Sequence, residues 1–390
     1  MREYPMSLKV SKRRPLVSQS EIRNMTLECA RVSGVNLAQG VCDLPVPEPV
    51  IRGAEEAMRA GANIYTRFDG LARLREAVAA KQRRFTGMEV DPNGQVVVSA
   101  GATGAFYSAC LALLDEGDEV LVFEPYYGYH IVTMASLGIK PVYVTLEPPE
   151  WGFSAEDLER AVTAKTRAII LNTPSNPAGK VFTRKELALV ADFAEAHDLF
   201  VFTDEIYEHF VFDGREHVSP ATLPGMARRT VTISGLSKVF AITGWRLGYA
   251  ICDPEWALAI GHFSDLVYVC APAPLQLGAA KGLEELGPEY YQGVSDDHQL
   301  KRDRFCDALR SIGLTPHVPA GAYYTLADVT SLPGKTAKER ALYLLEKTGV
   351  ACVPGSAFYS GPVGETLARF CFAKEMDVLE DAMQRLGRLS

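Results

Sequence analysis

Ser234-Gly-Leu-Ser-Lys-Val-Phe-Ala-Ile-Thr-Gly-Trp-Arg-Leu-Gly-Tyr249 sets one lysine, Lys238, among small and hydroxyl residues, with a single further cation, Arg246, eight positions on. The β-branched run Thr230 to Ile233 leads into it and reads as a buried strand; a second apolar run, Leu247 to Ile251, leads out. A lysine at the mouth of a buried strand is desolvated, sheds its proton more easily and can attack a carbonyl to give a Schiff base. Ser237 and Arg246 suit an anionic group next to it, and glycine lets backbone come close to a ligand. A lone loop lysine is normally solvated. These neighbours set this one apart.

Upstream, apolar strands alternate with helical stretches, the pattern of an α/β fold. Val96 to Ala100 runs into a Gly101-Ala102-Thr103-Gly104 turn and a helix expected from Phe106 to Leu114, where free N–H groups would make a phosphate site. No Gly-x-Gly-x-x-Gly with a later acidic residue is present, so this is not a dinucleotide fingerprint. The strand Glu119 to Glu124 ends in Pro125-Tyr126-Tyr127, aromatics that either stack on a flat heterocycle or fill a core. Val142 to Thr145 and Ala168 to Asn172 are further strands, the second entering an Asn176-Pro177 turn. Ser154 to Asp157 and Thr183 to Glu186 read as helix-starting caps. Leu199 to Thr203 delivers Asp204-Glu205-Ile206-Tyr207. A carboxylate at the carboxyl end of an apolar strand is where such folds place ligand chemistry, while a lone Asp-x-x-Tyr also suits a helix cap. Asn176, Asp204, Lys238 and Arg246, each after its own strand, count against the cap.

At the N-terminal end, Ser18 to Ala30 reads as a helix with Ile22, Met25, Thr26 and Cys29 on one side. Val35 to Gly40 follows as a short strand, and Pro45, Pro47 and Pro49 mark a loop. Beyond Ile251 come helices at Gln276 to Leu286 and Asp296 to Ile312, then a mixed tail with Arg369 as a lone cation between apolar neighbours. An exposed edge arginine is the usual meaning of that pattern.

Ser-Lys followed by Thr-Gly-Trp-Arg-x-Gly-Tyr resembles the lysine signature of the fold-type I pyridoxal-phosphate enzymes, in particular the class I/II aminotransferases. The similarity runs along nearly the whole chain. It implies a large α/β domain, residues 49–286, around a mainly parallel seven-stranded sheet, and a smaller α+β domain formed by residues 1–48 and 287–390. By the same resemblance Lys238 carries the pyridoxal 5'-phosphate, Asp204 pairs with its pyridine nitrogen, and Tyr207 and Asn176 bond its phenolic oxygen. Tyr127 stacks on the ring. Gly101, Ala102, Thr103, Ser237 and Arg246 hold the phosphate. Arg369 clamps the substrate carboxylate beside Gly40, with Asn176 close by, and Gly355 and Tyr359 line the same entrance. Ile64-Tyr65-Thr66 with Gly70 and Leu74-Arg75-Glu76 resembles the segment whose tyrosine reaches a neighbouring subunit's phosphate, which implies a homodimer with shared sites and a role for Tyr65.

Two departures bear on the detail. Gly235 stands three before the lysine, where many relatives have a phosphate-binding serine, so that role passes to Ser234, one position further away. Thr103 stands where some aspartate-specific relatives carry a lysine, and Cys270 to Leu275 offers no cation for a distal carboxylate. The expectation is a ping-pong aminotransferase using an apolar, sulfur-containing or aromatic L-amino acid, with 2-oxoglutarate or pyruvate as acceptor. The same constellation also serves C–S and β-lyases, because reaction type lives in the substrate shell.

Composition sets the outer limits. The 390 residues suffice for two domains, and 47% apolar content is ordinary for a globular protein. A net charge of −8 argues against nucleic-acid or anionic-membrane partners, including a DNA-binding regulator built on this fold. No apolar run is long enough to span a bilayer, and residues 1–15 lack a signal-peptide core. The eight cysteines show no CxxC pair and no metal-ligand spacing to the seven histidines. No metal is expected, and free thiols imply a cytoplasmic protein.

Overall fold

The structure, a computed structural model, describes residues 9–17 and 19–389. Residues 1–8, 18 and 390 fall outside it, and with them the expected helix start at Ser18 and part of the N-terminal stretch read for a signal peptide.

Seven strands form the main sheet in the order Val96–Ala100, Leu247–Ile251, Thr230–Gly235, Phe200–Asp204, Thr166–Asn172, Glu119–Glu124, Lys140–Thr145. Only Leu247–Ile251 runs antiparallel to its neighbours. The central strands are buried through their middles, Ala168 to Leu171, Val201 to Asp204 and Thr230 to Gly235, as largely β-branched and apolar runs require of a sheet covered on both faces. Register matters most for function. Asn172 lies opposite Asp204, and Asp204 opposite Ile233, so these parallel strands end at one level and release their loops on one side.

A four-stranded antiparallel sheet, Val353–Pro354, Leu367–Cys371, Tyr324–Asp328 and Thr315–His317, carries Arg369 paired with Leu326. Val35–Asn36 pairs in parallel with Val350–Ala351, which ties the two ends of the chain together. The 24-residue helix Pro288–Ser311 leads from the main sheet to this region.

Both expected capping boxes form, at Ser154 and at Thr183. Several boundaries differ from expectation: the strand expected over Val35 to Gly40 covers only Val35–Asn36, and the helix expected from Gln276 begins at Ala273. The first helix spans Glu21–Arg31 behind a Ser20 cap. Pro49 belongs to the first turn of the helix Glu48–Arg59, and the long helix begins at Pro288. In a first turn proline's missing N–H costs nothing and its fixed φ fits, so it starts these helices rather than marking a loop. The helix expected from Phe106 begins at Gly101 and ends at Leu113, directly at the strand end. Among the described residues no helix is long and apolar enough to cross a membrane.

Candidate active site

A cavity of ≈ 340 Å³ opens at the carboxyl ends of the main strands, with Lys238 inside it. Lys238 Nζ donates to Gly40 O at 3.2 Å and stands 5.9 Å from the ring centroids of Tyr207 and Tyr323. Burial lowers its pKa to about 8, because an ammonium is costly among apolar walls. It is a lysine that gives up its proton far more readily than an exposed one.

Asp204 closes its strand with the carboxylate in the cavity. Its Oδ2 lies 3.0 Å from His130 Nε2, and its Oδ1 accepts from Ile206 N at 3.2 Å. His130 sits on the helix Gly128–Ser136, one turn after Tyr127, and packs its ring 4.6 Å from that of Phe106. Tyr127 lines the cavity and stacks on Tyr129 at 5.3 Å and 28°.

Arg369 is fully buried. Its Nη1 donates to Asn176 Oδ1 at 2.7 Å and its Nη2 to Ala38 O at 2.5 Å. Its Nε has no hydrogen-bond partner among the described residues. A buried guanidinium with an unused N–H beside a cavity is built to receive a carboxylate. Because Asn176 spends its oxygen on Arg369, its amide NH₂ is the end left to donate.

The helix Gly101–Leu113 points its first turn at the cavity with no side-chain cap and no acidic residue there, so its N–H groups are free for an anion. Thr103, Ser237 and Arg246 line the same end. Gly101, at φ +75°, is needed twice over: a Cβ there would lie 2.5 Å from Arg246 Nη2. Arg246 itself holds a left-handed φ of 55°, a conformation costing about 1–2 kcal/mol for a residue with a side chain.

Ser234 corrects the phosphate set. It is wholly buried, and its hydroxyl donates to Glu208 Oε1 at 2.6 Å, behind the strand rather than into the cavity. A polar atom that deep must be spent on an internal partner. Gly355 and Tyr359 are also absent from the cavity wall; Tyr359 instead donates to Leu146 O at 3.2 Å. Tyr65 is 80% exposed and lies with Cys270 to Pro274 along a separate surface depression. Gly40, Ala102, Thr103, Tyr127, Asn176, Asp204, Tyr207, Ser237, Lys238, Arg246 and Arg369 all come together around one cavity.

Sequence reasoning passed over His130, Tyr324, Tyr129 and the cavity contact of Ile22. A histidine three residues after the stacking tyrosine was the available signal for the first. Beneath the site, Glu208 pairs with buried Lys81 and accepts from Tyr249 Oη at 3.4 Å. Glu205 accepts from Ser219 Oγ at 2.7 Å and meets His217 Nε2 at 2.9 Å.

These residues fit pyridoxal phosphate by chemistry: an easily deprotonated amine for the aldehyde, a carboxylate for the ring nitrogen and an uncapped helix end with an arginine for the phosphate. The comparisons with known proteins agree. The family model described as aminotransferase class I and II matches residues 32–386. A probable N-succinyldiaminopimelate aminotransferase of Mycobacterium tuberculosis is 37% identical, with 98% of each chain covered. The solved structure of the N-succinyldiaminopimelate aminotransferase from that organism superposes with a TM-score of 0.94, covering 98% of this chain and 100% of the other. Aromatic-amino-acid aminotransferase 2 of Thermococcus litoralis is 36% identical over 97% of this chain and 98% of its own. A methionine aminotransferase structure from Escherichia coli is 31% identical, with a TM-score of 0.93 over 97% and 99%. The chain carrying Lys238 thus belongs to the class I and II aminotransferases, a family dependent on pyridoxal phosphate, and is itself an aminotransferase.

Proposed function

We propose that the protein passes the amino group of an uncharged L-amino acid, apolar, sulfur-containing or aromatic, to a 2-oxo acid in two half-reactions at the Lys238 site. The observation that carries the donor class is the count of cations. Lys238, Arg246 and Arg369 are the lysines and arginines lining the cavity, and each already has a task at the carbonyl, the phosphate or the α-carboxylate. No fourth stands among the described lining residues that one copy contributes for a distal carboxylate. Ile22, Tyr129 and Thr133 complete the wall instead. The same reasoning favours pyruvate over 2-oxoglutarate as acceptor. Relatives named for aromatic amino acids, methionine and aspartate are similarly close, so kinship alone does not choose the donor.

Bound pyridoxal phosphate supplies an electron sink for the bond cleaved at the donor Cα. Asp204, braced by His130, holds the proton on the ring nitrogen. Tyr207 and the Asn176 amide donate to the phenolic oxygen. Arg369 takes the donor carboxylate in its planar fork and so presents Cα to Lys238. Lys238, once released, moves the proton from Cα, a task its pKa of about 8 suits near neutral pH.

The working unit in this reading is a homodimer. Ile64, Tyr65 and Leu266 expose 78%, 80% and 81% of their surface, apolar area that a second copy would cover. The eight free cysteines, with no disulfide, support a cytoplasmic location.

The test is a single-turnover screen of holoenzyme against individual amino acids, with absorbance and product analysis. Fast conversion of an uncharged donor to its 2-oxo acid is expected. If aspartate and glutamate outpace every uncharged donor, the donor class is wrong. If ammonia or a thiol accumulates while the cofactor band returns unchanged, the reaction is a lyase's.

A further inference from the structure

Tyr324 lies in the wall of the cavity at 2% exposure, on the strand beside the one that carries Arg369. Its hydroxyl is 2.9 Å from that of Tyr207, and the Arg369 guanidinium sits 4.3 Å from its ring centroid. Gly40 makes room for it: a Cβ at that position would fall 1.8 Å from the Tyr324 hydroxyl oxygen. One phenol therefore touches both the carboxylate clamp and the tyrosine assigned to the phenolic oxygen.

We propose that Tyr324 is a positioning residue, which donates its proton to the Tyr207 hydroxyl and so commits Tyr207 to donate to the cofactor's phenolic oxygen. This rests on the roles given above to Tyr207 and Arg369. Two neutral phenols at hydrogen-bond distance share one proton between them, and the stronger acid donates. Burial raises both, but the adjacent Arg369 guanidinium pulls Tyr324 back to about 12, while Tyr207 stays well above the usual value. Tyr323, the other phenol at hand, donates to Gly40 O at 3.3 Å, while the 2.9 Å contact of Tyr207 is with Tyr324. A hydroxyl that accepts one hydrogen bond donates the next more strongly. The arrangement thus favours the ionised phenolic oxygen, and it places the ring that bears Arg369 in the same chain of contacts.

The test is a pH titration of the visible cofactor band in purified holoenzyme, for the wild type, Tyr324→Phe, Tyr207→Phe and the double variant. Phenylalanine keeps the ring under Arg369 and removes only the hydroxyl. Tyr324→Phe should raise the midpoint by roughly half a unit, the scale of one weakened hydrogen bond, since the less stabilised phenolate keeps the neighbouring proton to higher pH. In the Tyr207→Phe background the same change should leave the midpoint where Tyr207→Phe alone puts it. If Tyr324→Phe fails to fold, Gly40→Ala, which must displace the Tyr324 hydroxyl, serves instead, provided its rise disappears in the Tyr207→Phe background, since Gly40 O also accepts from Lys238. An unshifted midpoint in Tyr324→Phe, or an equal shift with and without Tyr207, overturns the proposal and leaves the aminotransferase reading intact. A wild-type protein that shows no visible band with added cofactor overturns both.

Discussion

The turn Asp204-Glu205-Ile206-Tyr207-Glu208 has two acidic sides that look alike in sequence and differ in kind. Asp204 and Tyr207 face the cavity. Glu205 and Glu208 face the interior behind the sheet, where Lys81, Ser234, Tyr249, Ser219 and His217 meet them. On the inner side the carboxylates find their cation and their donors within the protein. On the cavity side groups are left over, including Arg369 Nε and the Asn176 amide. Carboxylates paired within the protein, with His217 Nδ1 the one atom of that cluster of Glu205 and His217 left over, hold the turn in place on the closed, inner side; the groups left over on the open, cavity side are available for chemistry. The same contrast explains why the trio of Glu205, Glu208 and His217, whose ligand atoms lie within 4.8 Å of one another, does not read as a metal centre. Lys81 already stands there as the counter-charge.

The largest effect should come from the open side. Lys238→Ala should lower turnover by at least ~10⁴-fold, yet barely change the melting temperature, since its one hydrogen bond goes to Gly40 O. A large stability loss would erase the contrast between the two sides. On the closed side the expectation is reversed. Glu208→Gln leaves Lys81 buried and unpaired and should destabilise the fold by about 3–5 kcal/mol, measured by denaturant unfolding, whereas replacing both by methionine should cost less, the remaining loss coming from the Ser234 and Tyr249 hydroxyls that donate to Glu208. The pair also fixes a pH window. Lys81 holds Glu208 down to about 2 from the ordinary 4.5, so its contribution is complete above about 4.5 and is lost as pH falls toward about 2. Acid unfolding of the double methionine variant should lack that component.

Smaller effects sharpen the boundary. Arg369→Lys keeps the charge and loses the fork, and should cost roughly 100-fold in kcat/KM for the donor with cofactor affinity unchanged. Ser234→Ala should lower stability by about 1 kcal/mol and leave the dissociation constant for pyridoxal phosphate alone. A weakened cofactor would return Ser234 to the phosphate site and falsify its place on the closed side.

Much of this was legible in the sequence because a strand followed by a reactive residue is a local signal. Lys238, Asp204 and Asn176 each follow an apolar run, and the seven strands that align them were readable from the same runs. Ser234 was misplaced because one position along a strand reverses which face a side chain takes. His130 and Tyr324 were passed over for a different reason. Their roles come from partners 74 and 117 residues away: the spacing of His130 after Tyr127 hints at a place beside the ring but not at a carboxylate partner, and nothing in Gly321-Ala-Tyr-Tyr-Thr marks which tyrosine meets a phenol. Helix starts at Pro49 and Pro288 were hidden by proline's double meaning as breaker and as first-turn residue.

The bond from Arg369 to Ala38 joins residues 331 positions apart, and Val35–Asn36 finds its strand partner only at Val350–Ala351. During synthesis from the N-terminus, the parallel sheet and its uncapped helix end can be complete while the donor clamp is still untranslated. The segment around Val35 to Ala38 is thus among the last to dock. A nascent chain halted before residue 350 would present a finished phosphate cradle beside a free N-terminal strand, and a chaperone that shields unpaired edges has its natural target there.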